Sequence, residues 1–316
     1  MKRTINVFVI IVGSLLAVYA LTMVFTLIWG LNTSLKHASD FGPERNVLGL
    51  PNLEIWKKAA EFYQTDLHLF SNYVNVVENL NIPGEGDAYY TMWGELVDHS
   101  KPNNLFDLIW NTISYAIFSA VLQAFIPCYM GYLCAKYPNK FSDILYTFLL
   151  VIMMIPIVGA YSAEIVLLKA LGLHDTLIGN LIQKSSFTGI YFFIFYAYFK
   201  GVPDSYIEAA EVDGASQFRV MFTIMMPLAI KTISTVALLR FVGFWNDYNV
   251  AVLYLPSRPT LAFAVYYLSV RGGGNNFSSI PSRVAACMFL ALPVLIIFVV
   301  LKDKLMGNVS MGGVKG

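Results

Sequence analysis

The chain has 316 residues, 57% of them hydrophobic and 13% charged, with a net charge of +1 and a mean hydropathy of +0.61. A soluble domain carries about a quarter charged residues, so this composition excludes a soluble globular enzyme as the first expectation and favours a polytopic membrane protein. No long basic or acidic run is present, which leaves nucleic-acid binding without a footprint.

A helix needs about 20 mostly apolar residues to cross the hydrocarbon core of a bilayer. The 5–29 stretch carries no charge and follows Lys2 and Arg3. It is longer than the apolar part of a signal peptide and reads as a retained first span. The second span is 108–135, closed by Lys136 and Lys140; the third is 144–163, which holds Pro156 and Gly159, residues that membrane helices tolerate. The fourth, 185–199, is apolar but short, and extends back past Lys184 towards Thr176. The fifth, 232–254, is interrupted by Arg240, Asn246 and Asp247, and the sixth is 284–301. Cys128, Cys134 and Cys287 sit in or beside these runs with no zinc-like spacing and no paired set, as small apolar fillers. The expected fold is all-α, a polytopic bundle of six transmembrane helices whose first partner is the lipid bilayer.

Six spans leave both ends of the chain on one side. Ten Lys/Arg fall there (Lys2, Arg3, Lys136, Lys140, Lys200, Arg219, Lys231, Lys302, Lys304 and Lys315), against five on the short opposite loops (Lys169, Lys184, Arg258, Arg271 and Arg283). The positive-inside rule then places both termini in the cytoplasm. The 30–104 segment, on the other side, holds ten acidic and five basic residues. Within it Trp56, Ala60, Tyr63, Leu67, Phe70, Val74 and Val77 recur at steps of three and four, which predicts one amphipathic helix, stopped at Asn81-Ile82-Pro83-Gly84. Such an insert serves either as a helical cap over the spans or as a docking surface. The organisation expected is a first helix (1–29), a helical extracytoplasmic insert (30–104), a core (105–301) and a cytoplasmic tail (302–316).

The most informative stretch lies between the fourth and fifth spans, at 202–227. Pro203 suits a first helical position, and Ser205 with Glu208 suits a capping box one turn on. Gly214 can adopt the left-handed conformation that ends a helix. A second helix from about Ser216 presents Phe218, Met221, Phe222 and Met225 until Pro227 breaks it. Two short helices joined at a glycine, acidic and alanine-rich before it, aromatic and methionine-rich after it, make a knob suited to another protein's groove.

Glu208-Ala209-Ala210, Gly214 four residues on, and Ile224-Met225-Met226-Pro227 after nine more resemble the signature loop of ABC importer permeases, with Met226 where leucine is usual. Asp213 and Phe218 lie within the same pattern. Phe241 to Asn249, with Trp245, Asn246, Asp247, Tyr248 and Asn249, is similar to the tryptophan-asparagine-aspartate region of sugar-importing permeases. The C-terminal Met311-Gly312-Gly313-Val314-Lys315-Gly316 resembles the tail of maltose-type (MalG-like) carbohydrate permeases. The resemblance runs from about residue 105 to the end, and the 30–104 segment falls outside it.

The resemblance implies a type I ABC importer permease fold and a transport subunit, not an enzyme. The 208–227 loop would be the coupling helix seated in a cleft of an ABC ATP-binding subunit dimer. A second, non-identical permease and an extracytoplasmic sugar-binding protein would complete the assembly. The chain has no Gly-x-x-x-x-Gly-Lys-Ser/Thr phosphate loop, so no cofactor is expected on it; ATP and Mg would be used by the partner ATPase. Gly312, Gly313 and Lys315 would contact that ATPase. The 257–282 loop, with Gly272, Gly273, Gly274 and Asn275, would reach the binding protein. Polar residues within spans are functional candidates: Gln123, Glu164, Arg240, Asn246 and Asp247. Trp245, Asn246, Tyr248 and Asn249 suit a sugar, unless Asn246 and Asp247 merely cap a helix break and Trp245 packs. Arg240 is expected to pair with an acidic group between helices. A permease for another solute, an ion-coupled carrier and a membrane scaffold are the competing functions; Glu164 and Asp247 are few carboxylates for a carrier.

Overall fold

The computed structural model describes residues 7–41, 46–64, 67–84, 88–90, 96–155, 159–271 and 277–306. Helix α1 (Val7–Ser34) is followed by α2 (Leu53–Tyr63), α3 (Ser71–Asn79) and an antiparallel ribbon of β1 (Ala88–Tyr90) and β2 (Leu96–Asp98). Then come α4 (Leu105–Lys136), α5 (Lys140–Met154), α6 (Ala160–Ala170), α7 (Leu177–Lys184) and α8 (Ile190–Gly201). The chain ends in α9 (Ser205–Val212), α10 (Gln217–Val220), a π-helical turn (Met221–Met225), α11 (Met226–Trp245), α12 (Asn249–Leu253), α13 (Leu261–Arg271) and α14 (Ile280–Met306).

Among the described residues four helices are long and apolar enough to cross a bilayer: Val7–Ser34, Leu105–Lys136, Gln217–Trp245 and Ile280–Val300. The expected third and fourth spans are each two shorter helices instead of one. Pro156 lies outside the described residues, and α6 starts from Gly159 at φ +82°, a backbone region that glycine adopts readily. Between α7 and α8, Ser186 Oγ lies 2.6 Å from Thr188 Oγ1 and accepts from Thr188 N. Such local side-chain bonds offer the backbone an alternative to the helix. The fifth span ends at Trp245, not Tyr254, because the chain turns at 246–248 before α12.

The chain divides into two compact units, Met1–Leu80 with Ala264–Pro293, and Asn81–Phe263 with Val294–Gly316. In the first, α1 is apolar all round and exposed along most of its length, as a lipid-facing span must be. Its end is closed by Asn72, a buried amide that donates to Ser34 O and Lys36 O, both at 2.8 Å, and accepts from Ser282 Oγ at 3.1 Å. These bonds satisfy carbonyls that a helix end leaves without partners. The buried Lys36 amine donates to Asn46 O and Val47 O; burial lowers its pKa, against the opposing pull of Asp40. The amphipathic stripe expected of 56–77 is not one helix. Gln64 at φ +50° ends α2, and the break shifts the inward face: Trp56, Asn72, Val76 and Leu80 are buried, whereas Tyr63, Phe70, Val74 and Val77 are exposed.

The second unit is organised by α4, which packs between α8 and α11. Gly131 permits the contact with α8, since a Cβ there would lie 2.9 Å from Phe195 Cβ and from Tyr196 N. Ala124, Cys128 and Tyr132 of α4 meet Phe195 and Phe199 of α8 and Ala229, Ile233 and Val236 of α11. The ribbon pairs Ala88 with Asp98 and Tyr90 with Leu96, so the 30–104 segment is not purely helical.

Candidate functional site

The 202–227 stretch folds as a helix, a glycine turn and a second helix. Pro203 precedes α9 rather than opening it, and Asp204 stands at the N-cap without a side-chain cap bond, so neither expected start motif forms. The end of α9 is as expected. Gly214 has φ +78°, its N–H donates to Glu211 O, and Ala215 N–H donates to Ala210 O, both at 2.9 Å. This is a Schellman closure, which needs a residue at ease in the left-handed region. Ser216 Oγ then accepts from Arg219 N and caps α10.

Pro227 does not end the second helix. The π-helical turn over Met221–Met225 precedes it, with Met226 N–H reaching back to Met221 O, and a continuous helix runs from Gln217 to Trp245. The wider turn absorbs the missing proline N–H. Met221 and Met225 are buried in the core, and Ile224 packs against it, so the methionines are not presented as expected. The exposed apolar residues are Tyr206, Val212, Phe218 and Phe222, with Val212 at 88% exposure. Glu208, Ala209, Asp213, Gly214 and Pro227 are also exposed, while Ala210 is buried. The two alanines of the motif therefore differ: one methyl fills the core and the other faces outward.

The knob is held to the end of α4. Lys136 Nζ meets Asp204 Oδ1 at 2.6 Å and also donates to Val202 O. Tyr137 OH donates to Gln217 Oε1, and Gln217 Nε2 donates to Glu211 Oε1. These latches were missed in the sequence because Lys136 and Tyr137 lie about 70 positions before the loop they hold.

The residues around Trp245 divide between packing, capping and exposure. Trp245 is buried and its ring lies 5.7 Å from that of Phe241. Asn246 Nδ2 donates to Val242 O at 2.9 Å. Asp247 Oδ1 accepts from Asn249 N and Val250 N, which caps α12; Tyr248 and Asn249 are exposed. Asp247 also enters a larger cluster. Tyr115 OH donates to Asp247 Oδ2 at 2.8 Å. Glu164 Oε2 accepts from Gln183 Nε2 at 2.7 Å and from Tyr254 OH at 2.6 Å. Lys184 Nζ lies 5.6 Å from the Phe244 ring centre and 5.7 Å from that of Tyr254. Arg240 Cζ lies 4.7 Å from the Phe244 centre and 5.6 Å from that of Tyr191. Arg240 thus rests on aromatic rings and, among the described residues, does not make the expected ion pair. Gln123 is half-buried on α4 and is not among these contacts.

A second polar cluster ties loops together. His99 Nε2 meets Asp175 Oδ2 at 2.9 Å, and Ser257 donates to Asp175 Oδ1 through N and Oγ. Burial pushes the Asp175 carboxyl above its usual range, while Ser257, His99 and His174 pull it back. Among the described residues no group of three or more His, Cys, Asp or Glu side chains could hold a metal ion. Gly272, Gly273, Gly274 and Asn275, and the tail residues Gly312, Gly313 and Lys315, lie outside the described residues.

The fold and the loop have relatives. The arabinooligosaccharides transport system permease protein AraQ of Bacillus subtilis is 27% identical over 67% of this chain and 74% of its own. The maltodextrin transport system permease protein MdxG of the same organism is 30% identical over 70% of this chain and 81% of its own. A chain in the crystal structure of a bacterial ABC transporter involved in the import of the acidic polysaccharide alginate superposes with a TM-score of 0.67 at 20% identity, over 96% of this chain and 98% of that one. That coverage takes in most of the 30–104 segment, so the segment belongs to a fold already seen. The pattern of binding-protein-dependent transport system inner membrane components matches residues 128–307, more than half of the chain, which therefore belongs to that family: a multi-pass membrane transport subunit, not an enzyme.

Proposed function

We propose that this chain is one permease subunit of an ATP-driven importer for an oligosaccharide or other sugar, coupled to its ATPase through the 208–227 loop. The observation that carries the coupling is the latched knob: Val212, Phe218 and Phe222 project from a base held by Lys136, Tyr137 and Gln217. An exposed apolar surface on so rigid a base suits a protein groove. The sugar class is supported by relatives named for arabinooligosaccharides and maltodextrin.

In this reading the chain pairs with a second, non-identical permease and sits on an ABC ATP-binding subunit dimer that uses ATP and Mg. An extracytoplasmic sugar-binding protein delivers the substrate. Both termini are cytoplasmic, as is the knob, and 30–104 faces outward. Closure of the ATPase dimer pushes on the knob, and α11, continuous with it, carries the push to the spans. The 312–315 tail contacts the ATPase and the 272–275 loop reaches the binding protein.

The test is reconstitution of the assembled transporter in liposomes with its binding protein. Saccharide uptake that requires internal ATP is expected. Uptake that persists without ATP and follows an ion gradient would replace this reading with a carrier.

A further inference from the structure

The cluster around Phe244 has an unusual division of charge. Its two carboxylates are engaged by neutral donors: Glu164 by Gln183 and Tyr254, Asp247 by Tyr115 and the start of α12. Its two cations, Lys184 and Arg240, have no hydrogen bond or ion pair among the described residues and rest on aromatic faces. Arg240 Nε and Gln183 Oε1 are shielded and have no hydrogen-bond partner among the described residues. Charged groups at membrane depth face a bundle interior or a water-filled cavity and find partners there. A cation on a ring retains its donors in the plane of the guanidinium or around the ammonium, so both remain able to take an anion.

We infer that Lys184 and Arg240 form a recognition site for the carboxylate of an acidic sugar unit, a uronate within an oligosaccharide. The inference rests on the reading of the chain as a saccharide permease. A carboxylate matches the guanidinium fork and supplies the negative charge that Glu164 and Asp247, already bonded, do not bring within contact. The half-buried ring of Tyr191 lies beside Arg240, and Gln183 Oε1 is an acceptor for a hydroxyl. A neutral sugar would offer the two cations only hydroxyls, and the carboxylates that act on Lys184 from nearby, Asp247 and Glu164, are already bonded to neutral donors. Arg240 also lies on the same unbroken helix as the knob, Gln217–Trp245, so substrate contact and coupling share one element.

The experiment offers the complete reconstituted transporter, with its binding protein, trisaccharides of galacturonate, mannuronate and glucuronate, each beside its carboxyl-reduced neutral counterpart. Uptake of at least one acidic trisaccharide in preference to its reduced form is expected. Because the binding protein also selects, the permease variants decide: Arg240→Gln and Lys184→Gln should each lower uptake of the acidic sugar about tenfold to a hundredfold, and Arg240→Lys should retain part of it. Subunit composition should be unchanged. Preference for the reduced sugars, or glutamine variants that carry the acidic sugar as the wild type does, would overturn the inference. So would loss of the second permease from the variants, which would assign the cations to subunit pairing. Uptake of neither kind of sugar would overturn the saccharide reading itself, and this inference with it.

Discussion

The knob and the Phe244 cluster lie in the same unit of the fold, yet they are built in opposite ways. The knob is made by residues 203–227, contiguous in the chain, and its shape follows from one glycine, one cap and a fixed spacing. The cluster collects Tyr115, Glu164, Gln183, Lys184, Arg240, Phe244, Asp247 and Tyr254 from segments up to 139 positions apart, as 115 and 254 bound it. The knob is written locally in the sequence, whereas the cluster is assembled by the packing of the bundle. The difference makes the first rigid in pattern and the second open to change at single positions.

The largest expected effect tests the knob. Gly214→Val forces a β-branched residue to φ +78°, a region that costs an L-residue about 1–2 kcal/mol or more. Uptake should fall more than about tenfold while the subunits still co-purify; normal uptake would remove the glycine turn from the coupling account. Next comes the contrast between adjacent alanines. Ala210→Leu overpacks the core and should lower stability by about 1–3 kcal/mol, read as thermal unfolding in detergent, whereas Ala209→Leu, on the exposed face, should leave it unchanged within about 0.5 kcal/mol. Equal effects would deny that the motif has an inward and an outward alanine.

Smaller effects belong to the assembled regions. Tyr115→Phe removes one hydrogen bond to the Asp247 carboxylate and should cost about 1–2 kcal/mol, with Asp247 still capping α12. The smallest is a pH effect at Asp175. Burial raises its folded pKa above the ordinary 3.8, so the native state is the stronger proton binder. Its contribution to stability is complete below 3.8 and is lost as pH rises towards the folded value. Asp175→Asn should flatten the thermal stability profile over that acid range; an unchanged slope would place the pH dependence elsewhere.

Much of this architecture was legible because hydrophobic runs and glycine chemistry act over short distances. The spans at α1, α4 and α14 follow from apolar length, and the end of α9 at Gly214 follows from backbone sterics. What escaped is non-local. Lys136 reads as an ordinary basic end to a span and Tyr137 carries no signal of its own, and only packing brings them to Asp204 and Gln217. Lys184 read as a flanking charge, although it stands over the rings of Phe244 and Tyr254. The stripe from Trp56 to Val77 misled because periodicity carries through the Gln64 break, whereas the buried face does not. Pro227 misled for a different reason: a π-helical turn, invisible in the spacing, lets a helix run through it.

The most direct test of the account is purification of the N-terminally tagged chain from native membranes in a gentle detergent, beside the same chain carrying Val212→Glu and Phe218→Glu. The wild-type chain should bring down an ATP-binding subunit and a second permease, and the double variant should lose the ATP-binding subunit while keeping the permease. An ATP-binding subunit retained in full by the variant, or a wild-type chain that purifies alone in two detergents, would contradict the coupling role of the 208–227 loop.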